Sequence, residues 1–268
     1  MKRIIIFKGG LGNQIFQYGM YTYQRYVKRR DVGYMYRESD HNGFELDKYF
    51  DVELKKVGAF YRLLYWLVWR LNKYGILKRF IFFERGGRPE ANDDIFVNGY
   101  WGNKQYFMHP YMKLDYKPLP LSERNQRVAD LLTSTQSVAI HVRRGDYLLP
   151  QNKALFNTLG VDYYRQAIQT CQDRLGTDVR FFFFSDDIEW VKANLPVEQA
   201  EYIDWNKGND SICDMRLMSM ASAVVIANST FSFWAAMLSK RAQLVIGPAH
   251  WYADGSPRDI FPDDWLKL

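Results

Sequence analysis

The chain is short of several things, and each shortage excludes a class of function. Its two cysteines, Cys171 and Cys213, lie far apart and in no Cys-x-x-Cys pair. A disulfide framework is therefore not indicated, and two free thiols are expected. Four histidines, His41, His109, His141 and His250, form no His-Glu-x-x-His or other close cluster, which argues against a structural or catalytic zinc. There is no Gly-x-Ser-x-Gly, so the nucleophile elbow of an α/β-hydrolase is missing. The longest apolar run has seven residues, 63–69, far below the roughly 20 needed to span a bilayer. The N-terminal run Ile4–Phe7 is too short for a signal-peptide core. A cytoplasmic location is the expectation, with peripheral contact to the inner membrane face as a variant of it. Acid is also in deficit, with 30 Asp and Glu against 36 Lys and Arg.

That imbalance leaves a net charge of +6, which favours anionic partners: a nucleotide, a nucleic acid or an acidic membrane surface. With 268 residues, 47% apolar and 25% charged, the chain suits one large domain or two of ordinary size. Aromatics reach 17%; they serve cores first, and aromatic-rich clefts also suit sugars. Between Phe60 and Phe83, Arg62, Arg70, Lys73, Lys78 and Arg79 are interleaved with Trp66, Trp69, Tyr74 and Phe80. Two placements suit such a helix: packed on its own domain, or lying on an anionic membrane face.

Strand and helix signals alternate along most of the chain. Arg3–Phe7 reads as a buried strand, Lys8–Asn13 as a glycine loop, Gln14 to about Arg29 as a helix and Val32–Tyr36 as a second strand. Residues 40–118 are harder to read. Lys117-Pro118-Leu119-Pro120 looks like a boundary. Beyond it come a helix from Ser122, a strand at 137–142, a helix capped by Asp162 and a strand at 179–184. A helix from Ile188 and a strand at Tyr202–Ile203 follow. Last are a helix at 211–221, a strand at 223–227, a helix at 232–238 and a strand at 243–246. Such alternation with short loops predicts α/β units with parallel sheets. Two units are expected, residues 1–120 and 121–268, facing across a cleft, with a last helix able to pack back on the first.

Chemistry-bearing residues cluster where strands are expected to end. His141-Val142-Arg143-Arg144-Gly145-Asp146-Tyr147 follows the apolar run 137–140. It delivers two guanidiniums to a strand's C-terminal end, where open α/β sheets bind ligands. Arginine's planar fork suits a phosphate or carboxylate, so this is a candidate diphosphate site. The plain alternative is a surface turn in which Arg144 pairs with Asp146. Gly9-Gly10-Leu11-Gly12-Asn13-Gln14 stands at a strand–helix junction, where a helix N-terminus favours an anion. It is neither the dinucleotide fingerprint, since Ile15 stands where the third glycine is needed, nor a P-loop. Asn13 also suits an N-cap. Asp186 and Asp187 follow Phe181–Ser185; a carboxylate there matches the N–H edge of guanine, or caps the next helix. Asn228-Ser229-Thr230-Phe231-Ser232 offers hydroxyls and free N–H groups at another helix start, a phosphate cradle or an ordinary cap. No Asp-x-Asp occurs, so Arg143 and Arg144 are the expected counter-charges, with no metal.

HVRRGDY at 141–147, GGLGNQ at 9–14, FFFSDD at 182–187 and the stretch from Asp214 through ANSTFSFWAA at 227–236 resemble the bacterial-type α-1,2-fucosyltransferases, a glycosyltransferase family 11-like group. The resemblance implies a GT-B-like α/β fold of two Rossmann-like domains, the first on the acceptor side and the second holding GDP-fucose. It implies inverting transfer to the 2-hydroxyl of a galactose-containing glycan, with GDP-fucose as co-substrate and neither cofactor nor metal required. It also implies Arg143 on the β-phosphate, His141 and Asp186 near the guanine, and Thr230 with Phe231 and neighbouring hydroxyls at the phosphates. Gly10, Gly12, Arg144, Asp187, Asn228, Ser229 and Ser232 complete the expected donor set, and Asn13 is placed at the reacting centre. The general base is unassigned; Asp146 and His41 qualify only by residue type, and a donor phosphate oxygen could also take the proton. Two alternatives remain open here: another fucosyl linkage (α-1,6 or O-fucose), and a basic module for nucleic acid or membrane.

Overall fold

A computed structural model describes residues 2–37, 42–77, 79–84 and 90–268. The chain divides into two compact units, Met1–Pro118 and Leu119–Leu268.

The first unit is built on a four-stranded parallel sheet. Strand β1 (Arg3–Phe7) is buried along its whole length, and its β-branched run fits a strand paired on both sides. Helix α1 (Leu11–Thr22) returns the chain to β2 (Val32–Tyr36) through a π-helical turn at Tyr23–Val27. Helices α2 (Leu46–Tyr49) and α3 (Ala59–Lys73) follow, then β3 (Ile81–Phe83), β4 (Phe96–Asn98) and α4 (Lys104–Phe107). The strand order is β2-β1-β4-β3, all parallel. Ile4, Ile6, Met35, Ile81 and Phe96 pack with Val57, Tyr65 and Val68 into its core. α1 starts earlier than expected because the Gly10 carbonyl accepts from the N–H groups of Asn13 and Gln14. Gly10 is therefore the cap, and Asn13 lies inside the first turn.

The second unit opens with α5 (Glu123–Ser134), whose N-cap Ser122 accepts from the Asn125 N–H at 3.3 Å. Then come β5 (Ser137–Val142), α6 (Pro150–Lys153), α7 (Val161–Leu175), β6 (Arg180–Ser185), α8 (Ile188–Asn194) and β7 (Ala200–Ile203). Next are α9 (Ser211–Met218), β8 (Ala223–Val225), α10 (Thr230–Met237), β9 (Leu244–Gly247) and β10 (Leu266–Lys267). Gly160, not Asp162, holds the N-cap position of α7. No helix follows α10: in place of a terminal helix, the tail ends as β10, parallel to β9.

The sheet order is β10-β9-β8-β5-β6-β7, all parallel. In order of appearance within the unit, and counted from the β7 edge, this is third, second, first, fourth, fifth, sixth. That is the doubly wound order, in which the chain turns from one side of the first strand to the other. The switch point therefore lies between the C-terminal ends of β5 and β8. Val138, Ile140, Phe181, Phe183, Val225 and Ile246 pack with Tyr164, Ala167 and Cys171 of α7 in the core beneath it.

Candidate active site

Register places the charged residues. β5 pairs with β6 so that Val142 lies opposite Ser185, and the next residues of the two strands, Arg143 and Asp186, come side by side. Arg143 Nη1 is 3.1 Å from Asp186 Oδ2, and its Nη2 is 2.7 Å from Asp146 Oδ1. The Arg144 N–H donates to Asp186 Oδ1 at 2.9 Å, while its Nε donates to Asp187 Oδ2 at 3.2 Å. The Arg144 guanidinium also lies over the Trp190 ring, 3.9 Å from its centre. The alternative surface pair of Arg144 with Asp146 does not form: Asp146 takes Arg143, and Arg144 is tied to the start of α8. Asp187 caps α8 as well, accepting from the Trp190 N–H at 3.2 Å.

The two guanidiniums are therefore matched by three carboxylates. Arg143 is the more accessible, with 36% of its side chain exposed against 16% for Arg144. Asp186 Oδ1 accepts the Arg144 N–H and Oδ2 is ion-paired with Arg143, which leaves roughly half of a carboxylate's four acceptor directions for a ligand. Gly145 lies close beside it: a Cβ there would come 2.7 Å from Asp186 Oδ2, so the carboxylate would have to shift.

Across the switch point stands the turn after β8. Its ring Phe231 lies 6.0 Å from that of His141. His141 is buried and its Nδ1 has no hydrogen-bond partner. Burial, reinforced by Arg143, pushes its pKa down to about 4, so the imidazole is neutral near pH 7. Tyr147 bridges the two strand ends by donating to the Asn228 carbonyl at 3.0 Å, and burial raises its hydroxyl to about 12.

The side chains of the Asn228–Ser232 turn divide by role. Asn228 Nδ2 donates to the carbonyls of Asn157 (2.7 Å) and Trp251 (2.9 Å), which pins two loops. Ser229 caps α10, accepting from the Phe231 N–H at 3.3 Å. Ser232 is buried and donates to the carbonyls of Ala227 and Ser229. Thr230 and Phe231 are the half-buried pair at the helix start, facing neither core nor bulk solvent fully.

Gly10, Gly12 and Asn13 belong to the other unit. Gly9 adopts a left-handed φ of 76°, and the Asn13 amide sits over it, 3.0 Å from the position of a Cβ. Gln14 is spent on structure: it donates to the carbonyls of Gly9 and Gly43, both at 2.8 Å, and accepts from the Glu45 N–H at 2.8 Å. His41 lies outside the described residues.

Sequence reasoning missed a second polar group, at the C-terminal edge of the first sheet. Lys8 Nζ donates to Asn98 Oδ1 at 2.8 Å and lies over the Tyr100 ring, 4.7 Å from its centre. Asn98 Nδ2 donates to the Tyr65 hydroxyl at 2.7 Å. Burial and then Arg37 lower the Lys8 pKa, opposed by Glu84. The signal was present: Lys8 follows a buried strand directly, as Arg143 does. Gln17 locks this edge, accepting from the Lys8 N–H at 3.0 Å and donating to the Gly99 carbonyl at 3.1 Å. Cys171 and Cys213 are both buried and unpaired. Among the described residues no three His, Cys, Asp or Glu side chains converge as metal ligands.

A site of paired arginines and acids at the C-terminal edge of a doubly wound sheet suits a nucleotide-bound substrate, and comparison with known proteins specifies the enzyme class. The sequence profile described as Glycosyl transferase family 11 matches residues 69–268. The chain belongs to glycosyl transferase family 11. Similar curated proteins include the Escherichia coli alpha-1,2-colitosyltransferase, 29% identical over 97% of this chain and 96% of that one. The Escherichia coli O-antigen biosynthesis glycosyltransferase WbnK is 28% identical over 97% and 98%. Human galactoside alpha-(1,2)-fucosyltransferase 1 is 31% identical over 38% of this chain and 28% of its own. Among solved structures, the fucosyltransferase NodZ from Bradyrhizobium aligns with a TM-score of 0.51 and 14% identity, covering 89% of this chain and 92% of that one. The fold is that of GT-B fucosyltransferases. As a family 11 member the chain is a glycosyltransferase of the fucosyl and colitosyl group. The basic binding module considered from charge alone is replaced by an enzyme.

Proposed function

We propose that this enzyme transfers L-fucose from GDP-β-L-fucose to the 2-hydroxyl of a galactose-containing glycan, with inversion and without a metal. The observation that carries the donor assignment is Asp186 at the end of β6, beside the switch-point strand β5. It is oriented by Arg143 and by the Arg144 N–H, and it keeps acceptor capacity for the N–H edge of a guanine. The neutral His141, with its unpartnered Nδ1, supplies a second polar contact beside it. The α-1,2 linkage rests on the names of the relatives.

In this reading the bond from the fucose anomeric carbon to the β-phosphate oxygen breaks as the acceptor 2-oxygen attacks the opposite face. Negative charge grows on GDP, and Arg143 is the cation placed to meet it. Both its acid partners are part-exposed, so the guanidinium can exchange Asp146 for phosphate at modest cost. Thr230 and the start of α10 are proposed as further donors to that charge. The acceptor proton leaves to a base that is not assigned; Asp146 stands beside Arg143 and is engaged by it. The Lys8–Asn98–Tyr65 group is the corresponding polar edge on the acceptor unit.

The deciding experiment incubates the enzyme with GDP-fucose and lactose in EDTA and reads the product linkage by NMR. An α-1,2-fucosyl product supports the proposal; an α-1,6 product, or a need for added divalent metal, overturns that part of it. A second donor reading, transfer of a colitosyl group, is favoured by the colitosyltransferase relative that covers 97% of the chain. A parallel incubation with the colitosyl donor separates the two.

A further inference from the structure

Helix α3 carries two apolar faces, and the fold uses only one. Tyr65 and Val68 are buried, with Tyr61, Leu64 and Trp69 packed against the first unit's core. On the other side Phe60, Leu63, Trp66 and Leu67, with Tyr74 and Ile76 just beyond, are each 48–72% exposed. At about 100° per residue, the four helical positions span an arc of roughly 120°. Arg70 lies within this arc, its guanidinium 4.8 Å from the centre of the Trp66 ring, and Arg62 and Lys73 border it.

Charge identifies what suits this face. From Leu54 to Phe83 the chain has seven Lys and Arg and not one Asp or Glu. A second copy docking by the same face would bring like charges together with no acid to meet them, because a two-fold contact pairs a patch with itself. Anionic lipid headgroups answer the cations, and the acyl boundary takes the apolar side chains. The helix lies on such a surface and does not cross it: its 15 residues reach about 22 Å, short of a ~30 Å hydrocarbon core.

We infer that α3 is an interfacial anchor that docks the first unit on an anionic lipid bilayer through Phe60, Leu63, Trp66 and Leu67, steered by Arg62, Arg70 and Lys73. The inference stands independently of which sugar is transferred.

The test is co-sedimentation of the full chain with vesicles of phosphatidylcholine alone and of phosphatidylcholine with phosphatidylglycerol. At low salt, binding to the anionic vesicles is expected to be at least tenfold tighter than to the neutral ones, and to weaken as salt is added. Trp66→Ser with Leu67→Ser, and separately Arg62→Glu with Arg70→Glu, should each cut anionic-vesicle binding at least tenfold. These side chains are exposed, so unchanged thermal melting is expected and confirms that the variants fold. The inference is overturned if the chain ignores anionic vesicles at low salt, or if both variants bind as well as the parent. It is also overturned if sedimentation equilibrium shows a dimer that the Trp66/Leu67 variant dissociates, since a second copy would then cover the face.

Discussion

The Arg143 guanidinium and the Asp186 carboxylate meet across the ends of neighbouring parallel strands, Nη1 to Oδ2 at 3.1 Å. The pair exists because the β5–β6 register sets Val142 opposite Ser185. It joins a candidate phosphate cation to a candidate guanine acceptor, so each residue orients the other. Loss of either is expected to disturb the other's ligand contact.

Arg143→Ala should lower kcat/KM by about 10²–10³, the usual effect of removing one charge-stabilising donor. Its thermal melt should stay close to the parent, because an ion pair this exposed adds little stability. Arg143→Lys should restore only part of the rate, since an ammonium lacks the fork. Steady-state kinetics and melting curves check this; an unfolded Arg143→Ala would make the residue structural.

Replacing Asp186 by Asn should weaken GDP binding while narrowing the preference for GDP over ADP. The amide presents an N–H₂ where guanine also presents donors. Isothermal titration with GDP, ADP and UDP measures it. Equal affinities of the parent for all three nucleotides would remove the guanine assignment.

Gly145→Ala tests the same carboxylate sterically. The added methyl would stand 2.7 Å from Asp186 Oδ2, so the acid must move. GDP affinity should fall in a protein whose circular dichroism is unchanged.

Asn228→Ala should behave differently from these. Its buried amide holds the Asn157 and Trp251 carbonyls, and a buried group left unpaired costs about 1–3 kcal/mol. The expected result is a lower urea midpoint. Selective loss of GDP affinity in a fully stable protein would instead make Asn228 a ligand contact.

His141 gives a pH signature. Its folded pKa of about 4 lies below the ordinary imidazole value of ~6.5. Between these values the unfolded chain binds the proton more readily, so the stability held above pH ~6.5 is lost as pH falls toward 4. Asp214 opposes this: burial raises its carboxyl to about 7, so its contribution is lost as pH rises from the ordinary carboxylate range to about 7. Urea unfolding of Asp214→Asn at several pH values should therefore show a steeper fall from pH 6.5 to 4 than the parent. An unchanged slope would remove Asp214 from the account.

Some of this protein was legible along the chain. Strands Arg3–Phe7, Val32–Tyr36 and Ser137–Val142 and helix Ile188–Asn194 fall on the residues expected. Their signals are local: apolar runs closed by turns, and a capping Asp187. The crowding of arginines, acids and hydroxyls at strand ends was equally readable, because strand polarity alone sends those residues to one edge. Boundaries slipped where a backbone group did the work of a side chain, as at Gly10 and Gly160.

Partner choice was decided only in three dimensions. Residue type allowed Arg144 to meet Asp146, but the β5–β6 register gives Asp146 to Arg143 and turns Arg144 onto Asp187 and Trp190. Asn228 carries the same amide whether it binds a ligand or a loop; the approach of Asn157 and Trp251 commits it to the loops. Lys8 and Asn98 are 90 positions apart and meet because β4 lies beside β1. Periodicity along the chain determines which residues reach a sheet edge. Strand order and register, which depend on contacts remote in sequence, determine which of them touch.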